Sequence, residues 1–150
     1  IILKMITRFL LHLFIISFLL NFVWEVSQMI FFSELGMGSL ADYGKFLKIH
    51  WIVSLKDAAM IIVLYTIVAL INRNWHWGRH FTKKRLLPLL FLGAVWAVGI
   101  EYYHVILNSD WAYNNSMPLI PIINIGLLPI FQMLILPALA IWLSRKSLFV

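Results

Sequence analysis

Four uninterrupted apolar stretches constrain this chain more than anything else in it, because each can cross a lipid bilayer as a helix. They run from Phe9 to Phe32, Trp51 to Asn72, Leu86 to Leu107 and Leu119 to Leu143. A hydrocarbon core of about 30 Å needs roughly 20 such residues. Continuous runs of this kind predict helices, since a membrane β-barrel would show alternating segments of about 10 residues. Composition agrees. Hydrophobic residues make up 63% of the 150 residues and charged residues 12%. That is too little charge to cover a soluble domain and too apolar for a disordered chain. The absence of cysteine excludes disulfides, thiolate metal sites and cysteine nucleophiles. The expected fold class is an all-α membrane protein, a bundle of four transmembrane helices forming one domain over residues 1–150.

The basic residues give the expected orientation. Lys4, Arg8, Arg73, Arg79, Lys83, Lys84, Arg85, Arg145 and Lys146 fall on one side of the four spans, and Lys45 and Lys48 on the other. The positive-inside rule then places both termini in the cytoplasm, N-in and C-in. The net charge of +6 is therefore an orientation signal, and with no soluble basic face, no nucleic-acid partner is expected. The expected location is a bacterial inner (plasma) membrane. Trp51, Tyr102, Tyr103, Trp111 and Tyr113 form an outer aromatic belt; Trp75, Trp77 and Trp142 form an inner one. The first span is read as retained rather than as a signal peptide. It is too long, contains Glu25 and lacks a small-residue cleavage site. The connection from Ser33 to His50 is polar, with Gly36, Gly38 and Gly44, and has room for a short interfacial helix around Phe46 to Ile49.

The polar residues inside the spans carry the functional information. An ionisable group near the bilayer centre costs about 2.5–3.5 kcal/mol on insertion scales, so such groups face other helices and mark candidate sites. In the first span Ser17, Asn21, Glu25 and Gln28 share one helical face. In the third, Gly93, Ala97, Glu101, His104 and Asn108 do the same, with the small residues allowing close helix approach. The second span offers Ser54, Lys56 and Asp57, and the fourth Asn124 and Gln132. At 1.5 Å per residue, Glu25, Asp57, Glu101 and Asn124 all lie roughly 8–10 Å below the outer boundary. The coincidence predicts one shared polar pocket in the outer half of the bundle.

Hydrogen-bonded glue between helices accounts well for Asn21, Gln28, Asn124 and Gln132. Three carboxylates and one lysine fit that role less easily, because Lys56 can pair with only one of them. The expected acid–base groups are Glu25, Asp57 and Glu101, with His104 as a proton shuttle or ligand and Lys56 as charge partner. Asn21, Trp24, Gln28, Lys56, Tyr102, Trp111 and Asn124 are the expected ligand-binding residues. An apolar, aromatic cavity with a few convergent polar groups suits a lipophilic small molecule such as an isoprenoid, a sterol-like compound or a quinone. No cofactor is required. The Glu101–His104 pair reads as Glu-x-x-His, and with Glu25 and Asp57 it could hold a single hard or borderline metal. Two other readings stay open. One is a non-catalytic subunit of a larger membrane complex, or a homo-oligomer, in which the stripes simply pack. The other is a proton or cation conductor, which needs a polar path through the inner half. Pro129 and Pro137 interrupt the ladder of the fourth span, Pro118 and Pro121 are placed to start it, and Trp111 to Tyr113 anchor or cap the pocket mouth.

Overall fold

The computed structural model describes residues 2–33 and 40–148. Gly36 and Gly38 of the first connection lie outside the described residues. Helix α1 spans Ile2–Gln28 and ends in a 3-10 turn, Met29–Phe31. Helix α2 spans Leu40–Ile71, α3 spans Lys83–Glu101 and continues as a π-helical turn, Tyr102–Leu107, and α4 spans Leu127–Ser144. All four are long and apolar enough to cross a membrane. Their outward faces are apolar too, with Leu19, Val23, Leu70, Leu87 and Phe91 exposed.

Two boundaries differ from those expected. The second helix begins at Leu40 and runs unbroken through the segment read as a polar connection with a short interfacial helix. Within it only Gly44 disfavours a helix, and no proline interrupts it. The fourth helix begins eight residues late, at Leu127 rather than Leu119. Proline pushes the residue before it out of the α region, so Pro118 and Pro121 hold Met117 and Ile120 extended instead of starting a helix. The result is a small antiparallel hairpin of β1 (Leu119–Ile120) and β2 (Ile125–Gly126). Ile122 and Asn124 take positive φ values of 79° and 53° at its tip. Pro129 then falls in the first turn of α4, where the missing N–H is one of the unpaired donors of any helix start.

Helix α1 packs broadly on both α2 and α4, and α3 packs on α4, whereas α2 and α3 touch only sparsely. Helices α3 and α4 approach tightly at Gly93, where a Cβ would collide with the Met133 carbonyl oxygen. At one end of the bundle the core is sealed by Phe9, Leu13, Ile61, Tyr65 and Trp77, all fully buried. Trp77, expected in the inner aromatic belt, instead folds back inside. Its ring stacks on Tyr65 with centroids 4.9 Å apart, and its Nε1 donates to the Tyr65 carbonyl at 3.2 Å. Tyr65 in turn donates to the Trp75 carbonyl at 2.5 Å.

Candidate functional site

The other end of the bundle is not sealed. There a cavity of about 400 Å³ opens between all four helices. The α1 stripe supplies its near wall: Ser17, Asn21 and Gln28 are buried and Glu25 is half-buried beside them. Gln132 of α4, 3% exposed, sits where α1, α2 and α4 meet. Its Nε2 lies 2.9 Å from Asn21 Oδ1, 2.9 Å from Glu25 Oε1 and 3.2 Å from Asp57 Oδ2. Gln28 Nε2 donates to the same Glu25 oxygen at 3.0 Å and to Gln132 Oε1 at 3.2 Å. Trp24 Nε1 steadies Gln28 from behind, donating to its Oε1 at 3.1 Å. Three acceptors thus share an amide that owns two hydrogens. Any further donor must be a proton on one of the carboxyls or a group from outside the cluster.

Glu101 faces this cluster from α3 at 6% exposure. Its Oε2 accepts from Trp111 Nε1 at 3.4 Å and from the Tyr113 hydroxyl. Among the described residues no donor meets Oε1. Burial, and then the bond to Glu101, hold the Tyr113 phenol above its usual range. Tyr113 fits here because Gly126 has no side chain: a Cβ there would lie 3.1 Å from the Tyr113 ring. The segment carrying Trp111 and Tyr113 is tied across the mouth to the end of α1. Ser33 N donates to the Ala112 carbonyl at 2.9 Å, Asn114 N to Phe31 at 2.9 Å, and Asn114 Nδ2 to Ile30 at 2.6 Å. These bonds make the Trp111–Tyr113 segment a fixed cap over the cavity rather than a loose anchor.

Of the residues expected to act, Glu25, Asp57, Glu101, Gln28 and Trp111 line the cavity, and Asn21 and Trp24 support it through the bonds above. Four others are placed elsewhere. Asn124 sits exposed at the hairpin tip, and Gln132 takes the place expected of it as the polar residue of the fourth helix. Lys56 is exposed on α2 beside Asp57 but outside the lining, and makes no salt bridge among the described residues. Tyr102, 45% exposed, lies outside the lining. His104 lies outside the lining, in the π-helical turn that follows Glu101. It pairs with Asp110, Nδ1 to Oδ2 at 2.5 Å, and stacks on Trp111 at 4.2 Å. The four groups named for a single metal are therefore not gathered, and no cluster of three metal-ligating side chains occurs among the described residues.

The lining also contains residues the sequence reading missed. Phe46, His50 and Val53 join Asp57 on one face of α2, with Lys45 at the rim and Asp110 at the mouth. Their spacing of four, three and four residues is a helical-face signal like the four, four and three of the α1 stripe, and it is legible once α2 is allowed to start before Trp51. His50 Nδ1 lies 2.9 Å from the Phe46 carbonyl, and its ring packs on Phe46 at 4.1 Å. No known protein family, no curated protein and no solved structure matches this chain.

Proposed function

We propose that this chain is an integral membrane protein, N-in and C-in, that holds a lipophilic small molecule in an acidic pocket in the outer half of the bilayer. Glu25, Asp57 and Glu101 exchange protons with that molecule. A carboxylic acid gives a proton to one atom of the ligand and a neighbouring carboxylate takes one from another, so charge and electrons balance without a redox partner. The observation that carries the reading is the convergence of carboxyl groups from α1, α2 and α3 on one cavity of about 400 Å³ with Trp96, Trp111 and Phe46 in its wall. Hydrogen-bonded glue alone would call for close packing of these helices and no such space. A conducting role has less support, because beyond Ser17 the core is closed by Leu13, Phe9, Ile61 and the Tyr65–Trp77 stack.

The test is native mass spectrometry of gently solubilised protein. A lipophile bound stoichiometrically to the wild type, and depleted in Glu101→Gln, is the expected result. Co-purification with other subunits and no bound small molecule would overturn the proposal in favour of a structural subunit.

A further inference from the structure

A second cavity, about 460 Å³ and almost wholly apolar, lies along the sparse seam between α2 and α3. Met60, Val63, Leu64 and Ile67 form one wall, and α3 residues from Leu92 to Ile100 form the other. At 1.5 Å per residue the groove runs roughly 10–12 Å along the helices. It adjoins the acidic pocket, with Trp96 and Ile100 lining both. Gly99 lies in the groove wall, and a Cβ placed there would meet nothing within 4 Å. The space is therefore open at a position where most helix residues would fill it.

The two cavities differ in chemistry as the two ends of one amphiphile do. Among the described residues no donor meets Glu101 Oε1, and three acceptors share one Gln132 nitrogen, so the pocket has acceptor capacity that its amides do not fill. The groove offers no polar partner to speak of and suits only hydrocarbon. We infer that the ligand is a long-chain amphiphile whose hydrogen-bond-donating head, an alcohol or amine, sits in the acidic pocket. Its hydrocarbon tail lies in the α2–α3 groove, reached sideways from the bilayer past Trp96. The inference rests on the pocket reading above and adds the tail, the head chemistry and the route.

Photolabelling of the protein in nanodiscs separates the two ideas. The probes are hexadecylamine with a mid-chain diazirine, a propylamine diazirine that carries the head alone, and a headless hexadecane diazirine. The expected result is that the long-chain amine labels Val63 and Val95 several-fold above outward-facing Phe91, and that the propylamine probe labels Trp111 or Phe46. Gly99→Leu, whose Cβ meets nothing within 4 Å and whose side chain would occupy the groove, should erase the excess at Val63 and leave propylamine labelling unchanged. Propylamine labelling of the pocket with no excess in the groove would overturn the tail assignment and spare the pocket. Equal groove labelling by headless hexadecane would make the groove a general lipid niche and also overturn it. Failure of both amines to label either site would sink the pocket reading together with this one.

Discussion

Gln132 joins α4 to α1 through a carboxyl, its amide nitrogen 2.9 Å from Glu25 Oε1. The same nitrogen serves Asn21 and Asp57, so one side chain organises three polar groups. Gln132→Leu keeps the volume and removes every one of those donors. Each buried acceptor left unmet costs on the order of 1–3 kcal/mol, and a half-satisfied network is worse than none. Thermal unfolding in detergent should show Gln132→Leu among the most destabilising single changes at this end of the bundle. A variant as stable as wild type would mean that the cluster does not hold the helices together.

Glu101→Gln should behave differently. An amide oxygen can still accept from Trp111 and Tyr113, so the cap over the cavity should stay closed and the unfolding midpoint near wild type. Proton exchange with a ligand should be lost, at roughly the 100- to 10,000-fold typical of removing a general acid or base. Once a ligand is in hand, turnover or hydrogen–deuterium exchange into it measures this. Unchanged exchange in a stable Glu101→Gln protein would remove Glu101 from the chemistry.

The two α3 glycines give opposite expectations. At Gly93 an added methyl meets the Met133 carbonyl, backbone against side chain, with no flexible atom to yield. Gly93→Ala should cost about 1–3 kcal/mol, the usual range for overpacking. At Gly99 the same methyl meets nothing, and alanine is the better helix former by about 0.8–1.0 kcal/mol. Gly99→Ala should be neutral or stabilising. Unfolding curves of the two variants, measured side by side, check the α3–α4 contact and the α2–α3 gap together.

What the sequence made legible follows from where the backbone stayed regular. The Ser17–Asn21–Glu25–Gln28 stripe is readable because α1 holds α-helical spacing throughout, and its inward face is the one observed. Glu101 is readable for the same reason, whereas His104 falls in the π-turn that begins at Tyr102, where α-helical spacing no longer applies. Hydropathy marks where apolar residues lie but not where a helix starts. It missed the polar first turns of α2 that carry Phe46 and His50, and it ran α4 through a proline-bearing hairpin, so that Asn124 stood in for Gln132. Trp77 was misplaced because a tryptophan among basic residues has the composition of an interface, and only the fold-back of its loop onto Tyr65 buries it.

That fold-back gives a prediction at the sealed end. Trp77 is 0% exposed, stacks on Tyr65 and spends its indole N–H on the Tyr65 carbonyl. Trp77→Ala should cost about 3–5 kcal/mol, as large buried aromatics do. Tyr65→Phe, which keeps the stack and loses the hydroxyl with its bond to Trp75, should cost about 0.5–1.5 kcal/mol. An interfacial Trp77 would give a loss well under 1 kcal/mol on surface precedent, so unfolding measurements on these two variants discriminate the buried from the belt position.

Tyr113 sets the alkaline behaviour of the cap. Its folded phenol titrates above the unfolded value of 10.0, first because of burial and then because of the carboxyl of Glu101. The unfolded chain therefore gives up this proton first as pH rises. The stability Tyr113 contributes is fully present below pH 10.0 and is lost as pH climbs from there through the higher folded value. Tyr113→Phe removes that term, so its stability should be lower than wild type at neutral pH and should fall less steeply above pH 10.0. Unfolding midpoints collected from neutral to strongly alkaline pH for both proteins make the comparison. Parallel curves would mean that the Tyr113 hydroxyl is as free in the folded protein as in the unfolded chain, and that the cap does not depend on its bond to Glu101.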